Sequence, residues 1–243
     1  MTRARRRRII RIQRTWTGIA LVAAISFIAG MTDAVGLRLS GDFVSFMTGN
    51  TTRAAISLAD GQTHHGLILL LAILVFVAGN ALGVIVAHVV ARRIFGVLAG
   101  VSILLTIASL LGEPSLHLPR FYLVVLAMGM VNAAVEHIEG LPIGLTYVTG
   151  ALSRLGRGIG AFIMGERRFD WGIQLVPWLG MVSGAMTGAV IGIAMPQFAL
   201  FIAAMLSLAV ALSTLMLRRA LHQRYKNRRT TPASAVPRPL ARK

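Results

Sequence analysis

The chain has 243 residues, 56% of them hydrophobic and 14% charged, and its uncharged runs outlast anything a soluble core helix needs. This excludes a soluble globular domain and indicates a polytopic membrane protein. The net charge of +17 would suggest a nucleic-acid binder, yet seven Arg lie in residues 1–14 and nine Lys or Arg lie from Arg218 onward, so the region between is nearly neutral. Cysteine is absent, which excludes disulfides and thiolate metal or redox chemistry.

From the N-terminus, residues 1–14 form a basic tail and an apolar run follows from Thr15 to Thr32. The pairing resembles a signal peptide, but the run continues into Gly30-Met31-Thr32-Asp33, a motif that returns later, so an uncleaved first helix is expected. Gly61 to Ala91, Ile94 to Gly112 and Phe121 to Val135 are further uncharged stretches, and Trp171 to Arg218 is long enough for two crossings split at Met195-Pro196. Six spans are predicted, in one all-α membrane domain over residues 15–217 with no room for a soluble unit. Residues 218–243 form a second basic tail, expected to be disordered. Under the positive-inside rule both tails are cytoplasmic, where each basic residue gains roughly 1 kcal/mol near anionic lipids. Without aromatic interleaving or a recognition module they read as topology anchors on the bilayer, not as ligands for nucleic acid.

The chain also repeats itself. Gly30-Met31-Thr32-Asp33-Ala34 returns 99 residues on as Gly129-Met130-Val131-Asn132-Ala133, and Phe46 to Arg53 returns 101 residues on as Tyr147 to Arg154. Val77-Ala78-Gly79 through Gly83 is echoed 105 residues on by Val182-Ser183-Gly184 through Gly188. Two corresponding halves are expected, residues 15–112 and 119–217, a plan common among transporters. The glycines four apart at Gly79 and Gly83, and at Gly184 and Gly188, allow close helix contact, either within the bundle or between two copies of the chain in a homo-oligomer.

The second apolar segment of each half is unlike the others. Phe43 to Ala59 carries Thr48-Gly49-Asn50-Thr51-Thr52-Arg53 at its middle, and Leu141 to Gly165 carries Pro142, Gly144, Gly150, Gly156, Gly158 and Gly160, with Arg154 and Arg157 inside it. Arginine in the middle of a lipid-facing helix costs at least about 2.5–3.5 kcal/mol, so both segments are read as broken or re-entrant. If they enter and leave on one side, Arg92-Arg93, Arg167-Arg168 and both tails all fall inside, as the positive-inside rule prefers. Each half is then three spans plus one hairpin, and an odd number of crossings inverts the second half relative to the first, a 3+3 arrangement. The alternative is eight full spans in two parallel groups of four.

Ala29-Gly30-Met31-Thr32-Asp33-Ala34-Val35-Gly36-Leu37, followed by Phe43 to Thr52, resembles the signature of the YoaK family, bacterial multi-pass inner-membrane proteins with a domain of unknown function, 1275. The resemblance covers roughly residues 15–218 in hydropathy and leaves the tails outside. It implies a bacterial inner-membrane location and places Asp33 and Thr48 to Thr52 in the family motif. It implies no substrate.

A helix starting near Asn50 or Thr51 inside the membrane would aim free N–H groups and the positive end of its dipole inward, beside Thr48, Gly49, Thr52 and Arg53. The second half offers Thr149, Gly150, Ser153, Arg154 and Arg157. An inverted pair would bring the two starts together around a shared cavity faced by Arg53 and Arg154, suited to an anion. The plainer reading is that these residues cap helices while the arginines pair with Asp33 or Glu136. Asp33, the one acid in the first span, is a candidate for proton coupling or for an ion pair, and its counterpart Asn132 keeps the hydrogen bonding without the charge. Glu136, His137 and Glu139 read as a loop, with no metal site expected and no cofactor implied.

Two function classes fit. One is a secondary transporter or channel for a small solute; the other is a scaffold or accessory protein whose buried polar groups only hold the bundle. Zincin, nucleophile-elbow, aspartyl-pair and Walker patterns are all missing, so an enzyme is not expected, and transport would be passive or driven by an ion gradient.

Overall fold

A computed structural model describes residues 3–135, 148–166 and 170–216. Every regular element among them is helical. Five helices are long and apolar enough to cross a membrane, and a sixth apolar helix closes the described chain. They are α1 (Arg3–Ser40), α3 (Thr63–Val89), α4 (Arg93–Leu110), α5 (His117–Val135), α7 (Leu175–Ala194) and α8 (Ala199–Met216). Two shorter helices, α2 (Met47–Ala59) and α6 (Val148–Ile163), stand at the positions of the two unusual segments. Helix α7 ends one residue before Met195-Pro196 and α8 begins three residues after it, so the last apolar run divides where proline removes a donor.

The interior is built on α1, α4, α5 and α8, whose inward residues include Ile25, Ile28, Leu98, Leu105, Met128 and Leu200, all fully buried. Helices α3 and α7 flank this core and turn a continuous apolar stripe outward: Leu67, Leu70, Leu71, Leu74 and Ile85 on one, Leu179, Met186, Val190 and Ile193 on the other. In water such stripes would be a liability, whereas in a bilayer they are the lipid-facing surface. The chain is an integral membrane protein.

Glycine sets how closely the flanks approach the core. A Cβ on Gly184 would lie 2.0 Å from the Phe27 carbonyl oxygen and one on Gly188 would lie 2.4 Å from that of Met31. Across the molecule, a Cβ on Gly79 would lie 2.3 Å from the Leu126 carbonyl oxygen, and one on Gly83 would lie 3.1 Å from that of Met130. Returning the contact, Gly30 sits against Met181 of α7 and Gly129 against Phe76 of α3. The glycine pairs thus pack within the bundle, and the Gly-Met motif of α1 and α5 is the other face of the same seams.

These contacts also give helix directions. Ala23, Phe27 and Met31 meet Gly180, Gly184 and Gly188 in ascending order, so α1 and α7 run parallel. Tyr122 donates to the Ile68 carbonyl at 3.3 Å and Met130 meets Gly83, so α3 and α5 also run parallel. Helices α4 and α8 run opposite ways: Ser102 donates to Ala204 O at 2.8 Å and Ser207 to Leu98 O at 3.0 Å, both bonds buried.

Helix α1 stops at Gly41, whose φ of 76° only glycine adopts freely and whose N–H closes on Leu37 O at 2.9 Å. Residues 41–46 are non-helical, and α2 then runs 13 residues, about 20 Å at 1.5 Å per residue, too short for the roughly 30 Å hydrocarbon core. Gly61, with φ 77°, turns the chain back, and Gly66 of α3 packs on Leu58 of α2, so the two form an antiparallel helical hairpin.

Candidate functional site

The predicted start of the second helix near Asn50 or Thr51 is corrected. The helix begins at Met47, with Phe46 as an N-cap that makes no side-chain capping bond. Asn50 therefore lies in the first turn and is buried, and its amide clamps the preceding loop: Nδ2 donates to Phe43 O at 2.7 Å and Oδ1 accepts from Phe43 N at 3.2 Å. Thr51 and Thr52 turn their hydroxyls onto their own helix, donating to the Met47 and Thr48 carbonyls at 2.8 and 3.2 Å. Gly49 makes room for the Phe46 ring, which meets Phe43 edge-on with centroids 5.3 Å apart. The Asn50, Thr51 and Thr52 side chains organise the turn into α2 through bonds to local backbone.

Arg53 is not the partner of Asp33. Its Nη1 stands 3.0 Å from Asp42 Oδ1, an ion pair whose angles are not those of a hydrogen bond, and the same nitrogen donates to Gly41 O at 2.7 Å. His65 Nε2 of α3 lies 3.5 Å from the same carboxylate oxygen, and the guanidinium lies 5.8 Å from the centroid of the Phe43 ring. Asp42 is buried, so its charge needs the Arg53 guanidinium beside it. The sequence reading missed Asp42 and His65, because nothing in spacing or periodicity ties positions 42, 53 and 65 together.

Asp33 meets the same loop by another route. Ser45 donates to it twice, from the backbone N–H to Oδ1 at 3.0 Å and from the hydroxyl to Oδ2. Neither Arg53 nor Arg154 forms an ion pair with Asp33, so that expected pairing is corrected: the carboxylate fastens residues 41–46 to α1. Glu136, the other expected partner, lies outside the described residues, with His137 and Glu139. Asn132 sits in the last turns of α5.

In the second half, Thr149, Ser153 and Arg157 are exposed on α6, and Gly150 lies in its first turn. Arg154 is half-buried and its Nε donates to Gln174 Oε1 at 2.9 Å, while its Nη2 is shielded from solvent without a hydrogen-bond partner. Helix α6 packs on α7 and on the 3-10 turn at Asp170–Gln174; α2 packs on α3. Among the described residues α2 and α6 do not touch. The expected shared cavity between Arg53 and Arg154 is therefore corrected: the two arginines belong to separate sites.

What the described residues do enclose is a cavity of about 190 Å³ where the end of α1, the α4–α5 corner, the start of α5 and the start of α8 meet. Gly36, Val44, Phe121, Val124 and Leu200 give it apolar walls, and Arg120 is its one cation of fixed charge. The Arg120 Nε is buried without a hydrogen-bond partner. The only nearby acid of the lining is Glu113, and His117 of the same lining directs Nδ1 to Pro114 O at 2.9 Å. Sequence reasoning missed Arg120 because it stands alone near a helix start and has no echo in the first half, where the corresponding position is Leu21.

The family of proteins of unknown function DUF1275 matches residues 21–213, nearly the whole membrane domain. The chain belongs to the DUF1275 family. It is 50% identical over 226 residues to the UPF0700 transmembrane protein RA0705 of Rhizobium meliloti (strain 1021), covering 93% of this chain and 98% of that one. No solved structure matches it significantly. As a DUF1275 protein the chain is a transmembrane protein, in agreement with its stripes of outward apolar residues and with the resemblance in Gly30 to Asp33 and Phe43 to Thr52.

Proposed function

We propose that this DUF1275 protein is an inner-membrane secondary transporter or channel for a small solute, built as two inverted halves of three crossings each. The observation that carries the reading is the opposed pairing of α4 and α8, with a serine of each donating to a carbonyl of the other. Six alternating crossings make α1 parallel to α7, α3 parallel to α5 and α4 antiparallel to α8; eight would make α4 and α8 parallel. Inverted halves with interrupted segments are a transporter plan, because the two packings of such a molecule can exchange between faces. Helices α2 and α6 then lie on opposite faces, with Arg92, Arg93, Arg154, Arg157 and both tails cytoplasmic. Asp33 is the candidate for proton coupling, since a carboxylate within a span whose bonds come from Ser45 and not from a cation can take up a proton without stranding a positive charge.

Topology is tested first with single cysteines, which the native absence of cysteine makes clean. Asp60→Cys should react with an impermeant thiol reagent on intact cells and Ala91→Cys only after the membrane is opened; eight crossings would reverse both. Function is tested by reconstituting the chain in liposomes and imposing gradients of small organic acids, amino acids and inorganic ions in turn. Flux above that of protein-free liposomes for one class supports the reading, and Asp33→Asn should then flatten its pH dependence. The second reading, a scaffold or accessory protein, is favoured by the full commitment of Asn50, Thr51, Thr52 and Arg53 to local bonds, and it is the conclusion if no class moves.

A further inference from the structure

The geometry points to the cavity at the α1, α5 and α8 ends as a binding site for a small organic monocarboxylate, anchored by Arg120. The inference deepens the transport reading by naming the ligand class, and rests on that reading for the site's place on the outer face. Its lining combines one guanidinium, apolar walls and three further polar residues at the end of α1 and around the start of α5, Ser40, Glu113 and His117, the last with its Nδ1 on Pro114 O. Arg120 brings a guanidinium whose Nε is already withdrawn from water and has no acceptor, whereas Val44, Phe121 and Leu200 supply walls that offer no polar group. The other polar group of the α1 end is occupied: Ser40 donates to Gly36 O at 2.8 Å and accepts from Asp42 N at 3.3 Å. A buried donor without an acceptor is costly, and a carboxylate relieves it best because its two oxygens match the fork of the guanidinium.

The charge count selects among anions. A monocarboxylate is neutralised by the single guanidinium and leaves its alkyl or aryl part for the apolar walls. Sulfate or a phosphate dianion would bring a second charge with no second cation of fixed charge in the lining to meet it and Glu113 on the rim to repel it. At about 190 Å³ the cavity is below the roughly 300 Å³ where pockets for drug-sized ligands begin, which favours a small acid over a nucleotide or a lipid headgroup.

The test is calorimetric titration of the purified full chain with acetate, butyrate, benzoate, sulfate and phosphate at constant ionic strength. At least one monocarboxylate should bind and the two inorganic oxyanions should bind more weakly. Arg120→Gln should weaken that binding at least tenfold, Arg120→Lys less, and Arg53→Gln should leave it unchanged. Should Arg120→Gln not fold, Leu39→Trp, placed at the exposed rim, fills the cavity without removing the charge and should also abolish binding. Absence of binding to the wild type, tighter binding of sulfate or phosphate, or equal affinity in both the Arg120→Gln and Leu39→Trp variants overturns the inference. Binding that depends on Arg120 without flux in liposomes leaves the site standing and removes transport; flux indifferent to Arg120→Gln does the reverse.

Discussion

Helices α2 and α6 stand on the two sequence segments that echo each other and carry an arginine at the echoed position, yet the two arginines are held differently. Arg53 is closed: an ion pair to buried Asp42, a bond to Gly41 O and the Phe43 face account for it. Arg154 is open: Gln174 takes its Nε, a neutral partner, and one Nη group is buried with nothing to donate to. A residue that recurs in the echoed sequence pattern therefore does not mark a shared task. Asp33 and Asn132 make the same point on α1 and α5, where one half has a carboxylate fastened to a loop serine and the other an amide.

The largest expected effect tests whether the halves are alike where they should be. The seams α1–α7 and α3–α5 both rest on glycine against backbone, so Gly184→Val and Gly79→Val should each cost more than about 3 kcal/mol, since the carbonyl oxygens of Phe27 and Leu126 cannot swing aside as a side chain would. Neither variant should give a monodisperse peak on size exclusion in detergent. Gly112→Ala, at a position with open space around it, should behave as wild type. If one seam tolerates valine and the other does not, the likeness of the two halves is superficial.

These seams were legible in the sequence because each crossing leaves a periodic mark: apolar runs of spanning length, small residues four apart, and recurrence at a nearly fixed offset. The Gly-Met motif and the Met195-Pro196 break were readable for the same reason. The α2 region was not, since capping logic applied to Thr48 to Thr52 could not foresee that Asn50 folds back on Phe43 and that the hydroxyls bond their own helix. Asp42, His65 and Arg120 left no mark at all, because the ion pair and the cavity join ends of elements that are distant in sequence and obey no period.

The next effect separates closed from open. Arg53→Ala leaves Asp42 buried with only His65 beside it and should lower stability by about 1–3 kcal/mol, the cost of an unsatisfied buried acceptor. Arg154→Ala leaves the buried Gln174 Oε1 without this donor, but that acceptor is neutral and a buried donor that had no partner goes with it, so it should cost about 1 kcal/mol, less than the loss beside the charged Asp42. Thermal unfolding of both variants under one detergent condition gives the ranking. Equal losses would mean that Asp42 finds another partner and that the contrast between the helices is not energetic.

Smallest of all should be Thr51→Val and Thr52→Val. Each removes a hydroxyl that donates only to a carbonyl of its own helix, at an exposed position, and the carbonyl keeps its place in the helical ladder. A change below about 0.5 kcal/mol is expected, within the range of surface substitutions away from special features. The value of the pair lies in what it does to flux once a solute is in hand. If these hydroxyls served a ligand, both variants would lose flux while melting as wild type; if they only shape the turn into α2, flux and melting are both unchanged, and the polar groups left to serve a solute are Asp33 on α1 and Arg120 on α5.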